Sequence, residues 1–279
     1  MRYLFVIFAF LSFFEVTSAS CNNYEEFTTE SPKVTVRKYS AKKSNDSNRA
    51  IIVLPPTGGV TFLEAKYAKA FCRDGFDSYI AVEWEGMNEE SLELSIHNKL
   101  LSLGQSAIDS VIRSIDSKFI GILGTSVGGI HAATAVGRSA KIQAAFVITA
   151  GAPVSSVLAY SELDKLSEVR NLRQEKFGFN NSDEYAQALN QAIKMDPLAF
   201  LPGTKGKWLG MSIGTSDTAV ESKTQLDLEK AWNPQVVFRF KNDHLMSIVK
   251  TWWFHKHEIA IFFNRAYSSW NSDSVSNAN

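Results

Sequence analysis

The chain has 279 residues, 45% of them hydrophobic, and its 29 basic residues balance its 29 acidic ones. This length and apolar content suit one large α/β domain with a substantial core. The balanced charge argues against a nucleic-acid partner and against an acidic solvating tail, so the expected partner is a small or neutral molecule.

Residues 1–20 have the features of an export signal. Arg2 gives a positive start, residues 3–14 (YLFVIFAFLSFF) form an unbroken apolar block, and small residues precede Cys21. The block has about a dozen residues, fewer than the roughly 20 that a membrane-spanning helix needs. We therefore predict a signal peptide over residues 1–20, a mature domain over residues 21–279 without a membrane span, and a secreted or periplasmic location.

Cys21 directly follows the predicted cleavage site and leaves two alternatives open. A lipid anchor at Cys21 would follow a lipoprotein signal, although Ser18 stands where such signals usually carry an aliphatic residue. A Cys21–Cys72 disulfide is also allowed, because an exported protein can keep one and Cys72 is the other of the two cysteines. The spacing of cysteines and histidines fits no metal site, and we expect neither a metal nor a cofactor.

Strand-like and helix-like segments alternate along the rest of the chain. Continuously or largely apolar runs predict strands at residues 50–54, 78–84, 119–124, 144–151, 207–214 and 235–240. Helical spacing of apolar residues predicts helices at residues 62–75, 91–116 and 244–267. This alternation predicts an α/β fold with a doubly wound, mostly parallel sheet, and the alternating segment at residues 34–40 predicts an antiparallel edge hairpin.

Residues 154–206 interrupt this alternation with two polar, helix-like stretches. Asn181 and Glu184 make a capping pair for the second stretch. Because the insertion lies between two core strands, we expect a small helical cap over the carboxyl ends of the strands, where open sheets bind ligands. A surface elaboration without substrate contact is the alternative. The polar residues 268–279 are predicted to form a disordered tail.

Ser126 stands in the centre of a G-x-S-x-G pattern that runs from Gly124 to Gly128. A buried strand precedes this pattern and a helix of small residues follows it, which is the setting that a serine nucleophile on a sharp turn requires. The two glycines leave room for the turn, and free backbone N–H groups at the helix start can stabilise negative charge. A serine that only caps the helix is the alternative.

A serine nucleophile needs a histidine base and an acid that orients the base. Asp217 lies in the loop after the strand at residues 207–214, and His244 follows the strand at residues 235–240. Both therefore lie just past the carboxyl end of a strand, as Ser126 does. The rival histidines do not directly follow a strand: His97, His131, His255 and His257. The rival acids are less suitable, because Asp243 is too close to His244 in sequence to orient it and Asp196 lies where it can end a helix.

The motifs GTSVGG (residues 124–129) and GTSDTAV (residues 214–220), followed by a late histidine, resemble those of the α/β-hydrolase superfamily, in particular its serine esterases and lipases. The resemblance extends from about residue 50 to the final helix. It implies that Ser126 is the nucleophile, Asp217 the acid and His244 the base. It also implies the α/β-hydrolase fold, with residues 154–206 as the cap.

The segment VLPPTGG (residues 53–59) resembles the loop that supplies an oxyanion-hole amide in this superfamily. The resemblance implies an oxyanion hole made by the N–H of Val127 and by an N–H near Thr57 or Gly58. The loop lacks the His-Gly pair of many lipases and the HGGG run of one esterase branch. Without these motifs, the sequence does not specify which residue of the loop supplies the second N–H donor of the oxyanion hole.

The expected function is that of an exported serine hydrolase that cleaves a carboxylic ester through an acyl-enzyme intermediate. The expected partner is a small-molecule ester or acyl substrate. A peptidase or another acyl hydrolase with the same triad is an alternative, because fold and triad do not name the leaving group. A catalytically silent α/β-hydrolase-fold binding protein is a further alternative, and the intact order of the three residues argues against it.

Overall fold

The computed structural model describes residues 21–41 and 48–276, so the predicted signal peptide at residues 1–20 lies outside the described part of the chain. Eight strands form one sheet in the order β1-β2-β4-β3-β5-β6-β7-β8. The strands are β1 (Glu25–Thr28), β2 (Val34–Tyr39), β3 (Arg49–Leu54), β4 (Asp77–Trp84), β5 (Phe119–Thr125), β6 (Ile142–Ile148), β7 (Trp208–Gly214) and β8 (Val236–Phe240).

Strands β3 to β8 pair in parallel, whereas β1 and β2 pair with each other, and β2 with β4, in antiparallel fashion. The helices are α1 (Phe62–Arg73), α2 (Ser95–Arg113), α3 (Val127–Arg138), α4 (Val154–Tyr160), α5 (Asp164–Phe177), α6 (Ser182–Ala192), α7 (Ser222–Trp232) and α8 (His244–Ser276). The predicted doubly wound, mostly parallel sheet is confirmed. The segment predicted as part of an antiparallel edge hairpin forms β2, and its partners are β4 and the preceding strand β1, which was not predicted from the sequence.

Two apolar layers cover the sheet, one on each face. Residues of α1 and α8, such as Phe71 and Phe263, pack on one face. Residues of α2, α3, α6 and α7 pack on the other, with Ile130 and Leu228 among them. Both faces of the central strands are therefore buried, which explains why their sequences are continuously apolar rather than alternating.

Helices α4, α5 and α6 and a 3₁₀ segment (Pro197–Thr204) occupy the chain between β6 and β7. They lie in the stretch where the sequence predicted a cap. The side chain of Asn181 accepts the N–H of Glu184, so the predicted capping pair begins α6. Helix α5 is polar along most of its length, and Arg173 is the side chain that it buries.

Helix α8 continues to Ser276, so the prediction of a disordered tail from residue 268 is wrong for residues 268–276. Two aromatic side chains explain the difference. The rings of Tyr267 and Trp270 lie 5.5 and 5.9 Å from that of Phe119, and the Arg49 guanidinium lies over the Tyr267 ring. These contacts attach the last turns of the helix to the sheet, although the local composition there is polar.

A disulfide joins Cys21 to Cys72 on α1, with 5.7 Å between the two Cα atoms. Of the two alternatives for Cys21, this is the one that the structure contains. It fixes the first described residue to the helix layer of α1 and α8. Among the residues that the structure describes, no helix has both the length and the apolar character needed to cross a bilayer.

Candidate active site

Ser126 occupies a sharp turn between β5 and α3. Its backbone has φ 54° and ψ −120°, a strained conformation for a residue with a side chain. A Cβ on Gly124 would lie 2.1 Å from the Gly128 carbonyl oxygen, and a Cβ on Gly128 would lie 2.4 Å from that of Pro55. Both glycines are therefore required by the close approach of backbone to backbone at this turn.

The structure brings the three predicted residues together, although Ser126 and His244 are 118 positions apart in sequence. His244 Nε2 lies 3.0 Å from Ser126 Oγ, and His244 Nδ1 lies 2.7 Å from Asp217 Oδ2. A carboxylate can only accept, so the neutral imidazole carries its proton on Nδ1 and leaves the Nε2 lone pair for the serine O–H. The three side chains form one continuous line of hydrogen bonds.

Asp217 is buried and is held by several donors besides His244. The N–H groups of Ala219 and Val220 donate to Oδ1 at 2.9 and 3.0 Å, and Gln225 Nε2 donates to Oδ2 at 2.8 Å. Hydrogen bonds of this kind fix the orientation of the carboxylate. Sequence reasoning missed Gln225, because a glutamine in the first turns of a helix has no distinctive pattern.

The rival acids have structural roles. Asp243 Oδ1 accepts the N–H of Met246 at the start of α8, at 2.8 Å. The two carboxylate oxygens of Asp196 accept the N–H groups of Val154 and Leu198, at 2.6 and 2.9 Å. Both carboxylates therefore cap helices.

The rival histidines differ in environment. His255 stacks on Phe238 with 3.9 Å between ring centroids. His257 is exposed on α8, whereas His97 and His131 line the cavity beside Ser126. None of these four histidines has a hydrogen bond to Ser126 or Asp217 within the described residues.

Two of the three predicted oxyanion-hole residues, Val127 and Thr57, line the cavity beside Ser126. Val127 is the first residue of α3, so its N–H has no acceptor within the helix. Thr57 lines the cavity together with Ser126 and Val127. Gly58 follows Thr57 with φ 97°, a left-handed conformation that glycine adopts without strain.

The cavity beside Ser126 has a volume of about 230 Å³ and is mostly apolar. Its walls come from α2, α3, α4 and the start of α5, including Leu101, Ile130, Val157 and Leu166. A second, wider cavity of about 570 Å³ shares Thr57, His97, Leu100 and Leu166 with the first. The two cavities therefore adjoin, and Ser126 lies at the apolar one.

A buried arginine, Arg173, lines the wider cavity. Arg173 of α5 donates to the carbonyl oxygens of Ser91 and Leu92 and to the Tyr185 hydroxyl, and it contacts His97 Nε2. These bonds connect α5 to the chain segment before α2. The ion pairs Lys165–Glu90 and Lys176–Glu93 connect the same two parts of the chain.

The two histidines of the cavity are held neutral. Burial lowers the pKa of His131 to about 4. Burial, and to a smaller degree the Arg173 guanidinium, lowers the pKa of His97 to about 4. Both imidazoles are therefore uncharged near pH 7, which suits an apolar cavity. Within the described residues, no cluster of His, Cys, Asp and Glu could hold a metal ion.

The comparisons with known proteins identify the fold. No protein-family model and no curated protein matches the sequence. Among solved structures, the esterase Pf2001 of Pyrococcus furiosus is similar, with 15% identity and a TM-score of 0.59. The match spans 87% of this chain and 92% of the esterase. Est1E of Butyrivibrio proteoclasticus is similar as well, with 13% identity and a TM-score of 0.63, and the match spans 87% of this chain and 99% of Est1E.

An acylaminoacyl peptidase of Pyrococcus horikoshii is also similar, with 16% identity and a TM-score of 0.62. There, 87% of this chain matches 41% of the larger protein. The chain therefore has the α/β-hydrolase fold, as the resemblance implied. At these identities the comparisons establish the fold, and its similar structures include both esterases and peptidases.

The buried histidines predict a fall in stability at acidic pH. The unfolded chain gains protons at these imidazoles as the pH falls through about 6.5, whereas the folded chain gains them only near pH 4. The free energy of unfolding should therefore fall between pH 6.5 and 4.5, by about 2–3 kcal/mol for each imidazole. Urea unfolding at both pH values measures this fall.

His131→Asn should reduce that fall, and the exposed His257→Asn should leave it as in the wild type. An undiminished fall in His131→Asn would contradict the assignment of a neutral, buried imidazole at residue 131.

Proposed function

We propose that this protein is an exported serine hydrolase that cleaves a carboxylic ester through an acyl-enzyme intermediate. The observation that carries the proposal is the line of hydrogen bonds from Asp217 through His244 to Ser126. It lies at a strained turn, beside a helix N-terminus and an apolar cavity. An isolated helix-capping serine would need neither the histidine nor the buried carboxylate, and Ser126 makes no side-chain cap bond to α3.

In the proposed reaction, Ser126 Oγ attacks the ester carbonyl and its proton passes to His244 Nε2. Asp217 stabilises the imidazolium that forms and keeps the ring in the required tautomer. The negative charge on the carbonyl oxygen is held by the N–H of Val127 and by an N–H of the loop at Thr57 and Gly58. The bond to the leaving oxygen then breaks, and His244 returns the proton to the departing alcohol.

Deacylation repeats these steps with water. His244 takes a proton from a water molecule, whose oxygen attacks the acyl carbon. The bond to Ser126 Oγ breaks, the serine regains its proton from His244, and the carboxylic acid leaves. The chemistry needs only groups of this chain and water, so the proposal includes no cofactor.

The two adjoining cavities suggest how the substrate is divided. We assign the acyl group to the apolar cavity, because its lining has few polar groups apart from Ser126, Thr57 and two neutral imidazoles. A volume of about 230 Å³ accommodates roughly seven or eight groups the size of a water molecule. The wider cavity would then take the leaving alcohol. In this arrangement the insertion acts as a cap, since α4 and α5 supply one wall.

Export is part of the proposal and rests on the sequence of residues 1–20. The Cys21–Cys72 disulfide supports it, because disulfides persist in oxidising compartments. The same Cys21 Sγ cannot hold both a disulfide and a thioether-linked lipid. The lipoprotein alternative therefore requires the disulfide to be absent.

The apolar cavity predicts selectivity for acyl chain length and for esters. Among p-nitrophenyl esters, kcat/KM should peak for chains of roughly four to eight carbons, which the cavity can enclose, and should fall for palmitate. Aminoacyl p-nitroanilides should be cleaved far more slowly than the best ester. Initial rates on both series measure this. Faster cleavage of the anilides would favour the peptidase alternative.

A matched pair of variants tests the acid of the triad. Asp217→Asn should reduce kcat about 10⁴-fold on a p-nitrophenyl ester, because an amide favours the wrong imidazole tautomer and cannot stabilise imidazolium. Asp243→Asn should change kcat less than about twofold, because asparagine caps a helix as well as aspartate does. Circular dichroism checks that both variants are folded. Near-normal turnover in Asp217→Asn, with loss in Asp243→Asn or Asp196→Asn, would move the acid elsewhere.

A further inference from the structure

A basic groove of about 690 Å³ runs between α1 and α8. Lys66, Lys69 and Arg73 of α1 line it, and Lys256 of α8 faces them. Asp74 is the carboxylate in this lining. Because the whole chain has equal numbers of basic and acidic residues, the groove is a local excess of positive charge that the overall composition hides.

Two lysines of the groove, Lys66 and Lys256, lie over aromatic rings. Lys66 Nζ is 5.0 Å from the Phe62 ring centroid and 5.9 Å from that of Trp252, and Lys256 Nζ is 5.1 Å from the Trp252 centroid. Within the described residues, no ion pair includes Lys66, Lys69 or Lys256. Their charge is therefore available to an external anion.

Large apolar side chains project into solvent beside this groove. Trp253 is 70% exposed and Phe254 59%, both on α8. Phe62, at the start of α1, is 65% exposed, and Leu245, next to His244, is 67% exposed. Trp253 lines the groove itself, and Phe62 lies under Lys66 Nζ. Large exposed apolar side chains next to a basic groove mark an interaction site.

We infer that the groove and these projecting side chains form a docking surface for an anionic lipid bilayer, here called the α1–α8 surface (Phe62, Lys66, Lys69, Arg73, Leu245, Trp253, Phe254 and Lys256). Bilayer interfaces bind this combination: lysine and arginine are attracted to anionic headgroups, while tryptophan, phenylalanine and leucine enter the boundary with the acyl chains. A single-stranded nucleic acid would bind the cations through its phosphates and the aromatic rings through base stacking, but it has no apolar region into which Leu245 could insert.

The N-terminal end of the described chain lies at the same place. Asn22 lines the groove, and the disulfide holds Cys21 against α1. The chain that precedes Cys21 therefore joins the fold at the α1–α8 surface. His244 begins α8, so docking of this surface would also bring the catalytic end of the sheet close to the bilayer.

Co-flotation with vesicles tests the inference without a substrate, and so independently of the proposed hydrolysis. The protein is used as recovered from the exporting cell, with its N-terminus fixed by intact mass. We expect it to float with vesicles of equal parts phosphatidylcholine and phosphatidylglycerol and not with phosphatidylcholine alone. Binding should weaken strongly at about 1 M salt, where the Debye length is only about 3 Å.

Two sets of variants locate the binding surface. Lys66→Gln with Lys256→Gln should weaken binding roughly 25-fold, at roughly fivefold per lysine. Trp253→Ala with Phe254→Ala should weaken it roughly tenfold per ring. The control, Lys141→Gln with Lys230→Gln, removes the same charge from exposed positions elsewhere and should bind as the wild type does. Thermal unfolding checks that every variant is folded.

Several outcomes would overturn the inference. The inference is wrong if the wild-type protein does not float with the anionic vesicles. It is also wrong if the groove variants and the control variant weaken binding to the same extent. Tighter, groove-dependent binding to single-stranded DNA than to the anionic vesicles would assign the surface to nucleic acid instead. Light scattering that shows a dimer, dissociated by Trp253→Ala with Phe254→Ala, would assign it to a second copy of the chain.

Discussion

The buried carboxylate of Asp217 is the constraint on which the rest of the site depends. An ionised carboxylate away from water is costly unless it is paired and hydrogen-bonded. Here two backbone N–H groups, the Gln225 amide and the His244 imidazole all donate to it. Gln225 is fixed in turn, because its carbonyl accepts the N–H of Gly214 and its amide also donates to the Val220 carbonyl. These hydrogen bonds hold the loop after β7 around the Asp217 carboxylate.

The parallel sheet turns this local arrangement into a site. The loops after β5, β7 and β8 leave the same edge of the sheet because those strands are parallel. Ser126, Asp217 and His244 come one from each loop, so distant parts of the sequence meet within hydrogen-bond distance. The same topology places α1 and α8 on one face. Their outer surfaces can therefore serve a different purpose from the edge that holds the site.

The features that the sequence predicts well have local signatures. Continuous apolar runs identify the parallel strands, and the glycines around Ser126 identify a turn in which any side chain would clash. The order of Asp217 and His244 after strands is equally local. These signals sufficed for the fold, which the structure confirms, and for the three residues that it brings together.

The features that the sequence does not reveal depend on distant contacts. Arg173 binds carbonyl groups 81 and 82 positions away, for which its own segment, a polar helix, gives no sign. The last turns of α8 are ordered by Tyr267 and Trp270 against Phe119, whereas their composition alone suggests a tail. The net charge of the chain does not reveal the basic groove, because acidic residues elsewhere balance its positive charge.

The most direct test of the account is labelling with a fluorophosphonate, which reacts with a serine only when a neighbouring base activates it. We predict one adduct per chain, found by peptide mapping at Ser126, absent in Ser126→Ala and greatly slowed in His244→Gln. An adduct on another residue, or a folded wild-type protein that does not react, would contradict the assignment of Ser126 as an activated nucleophile.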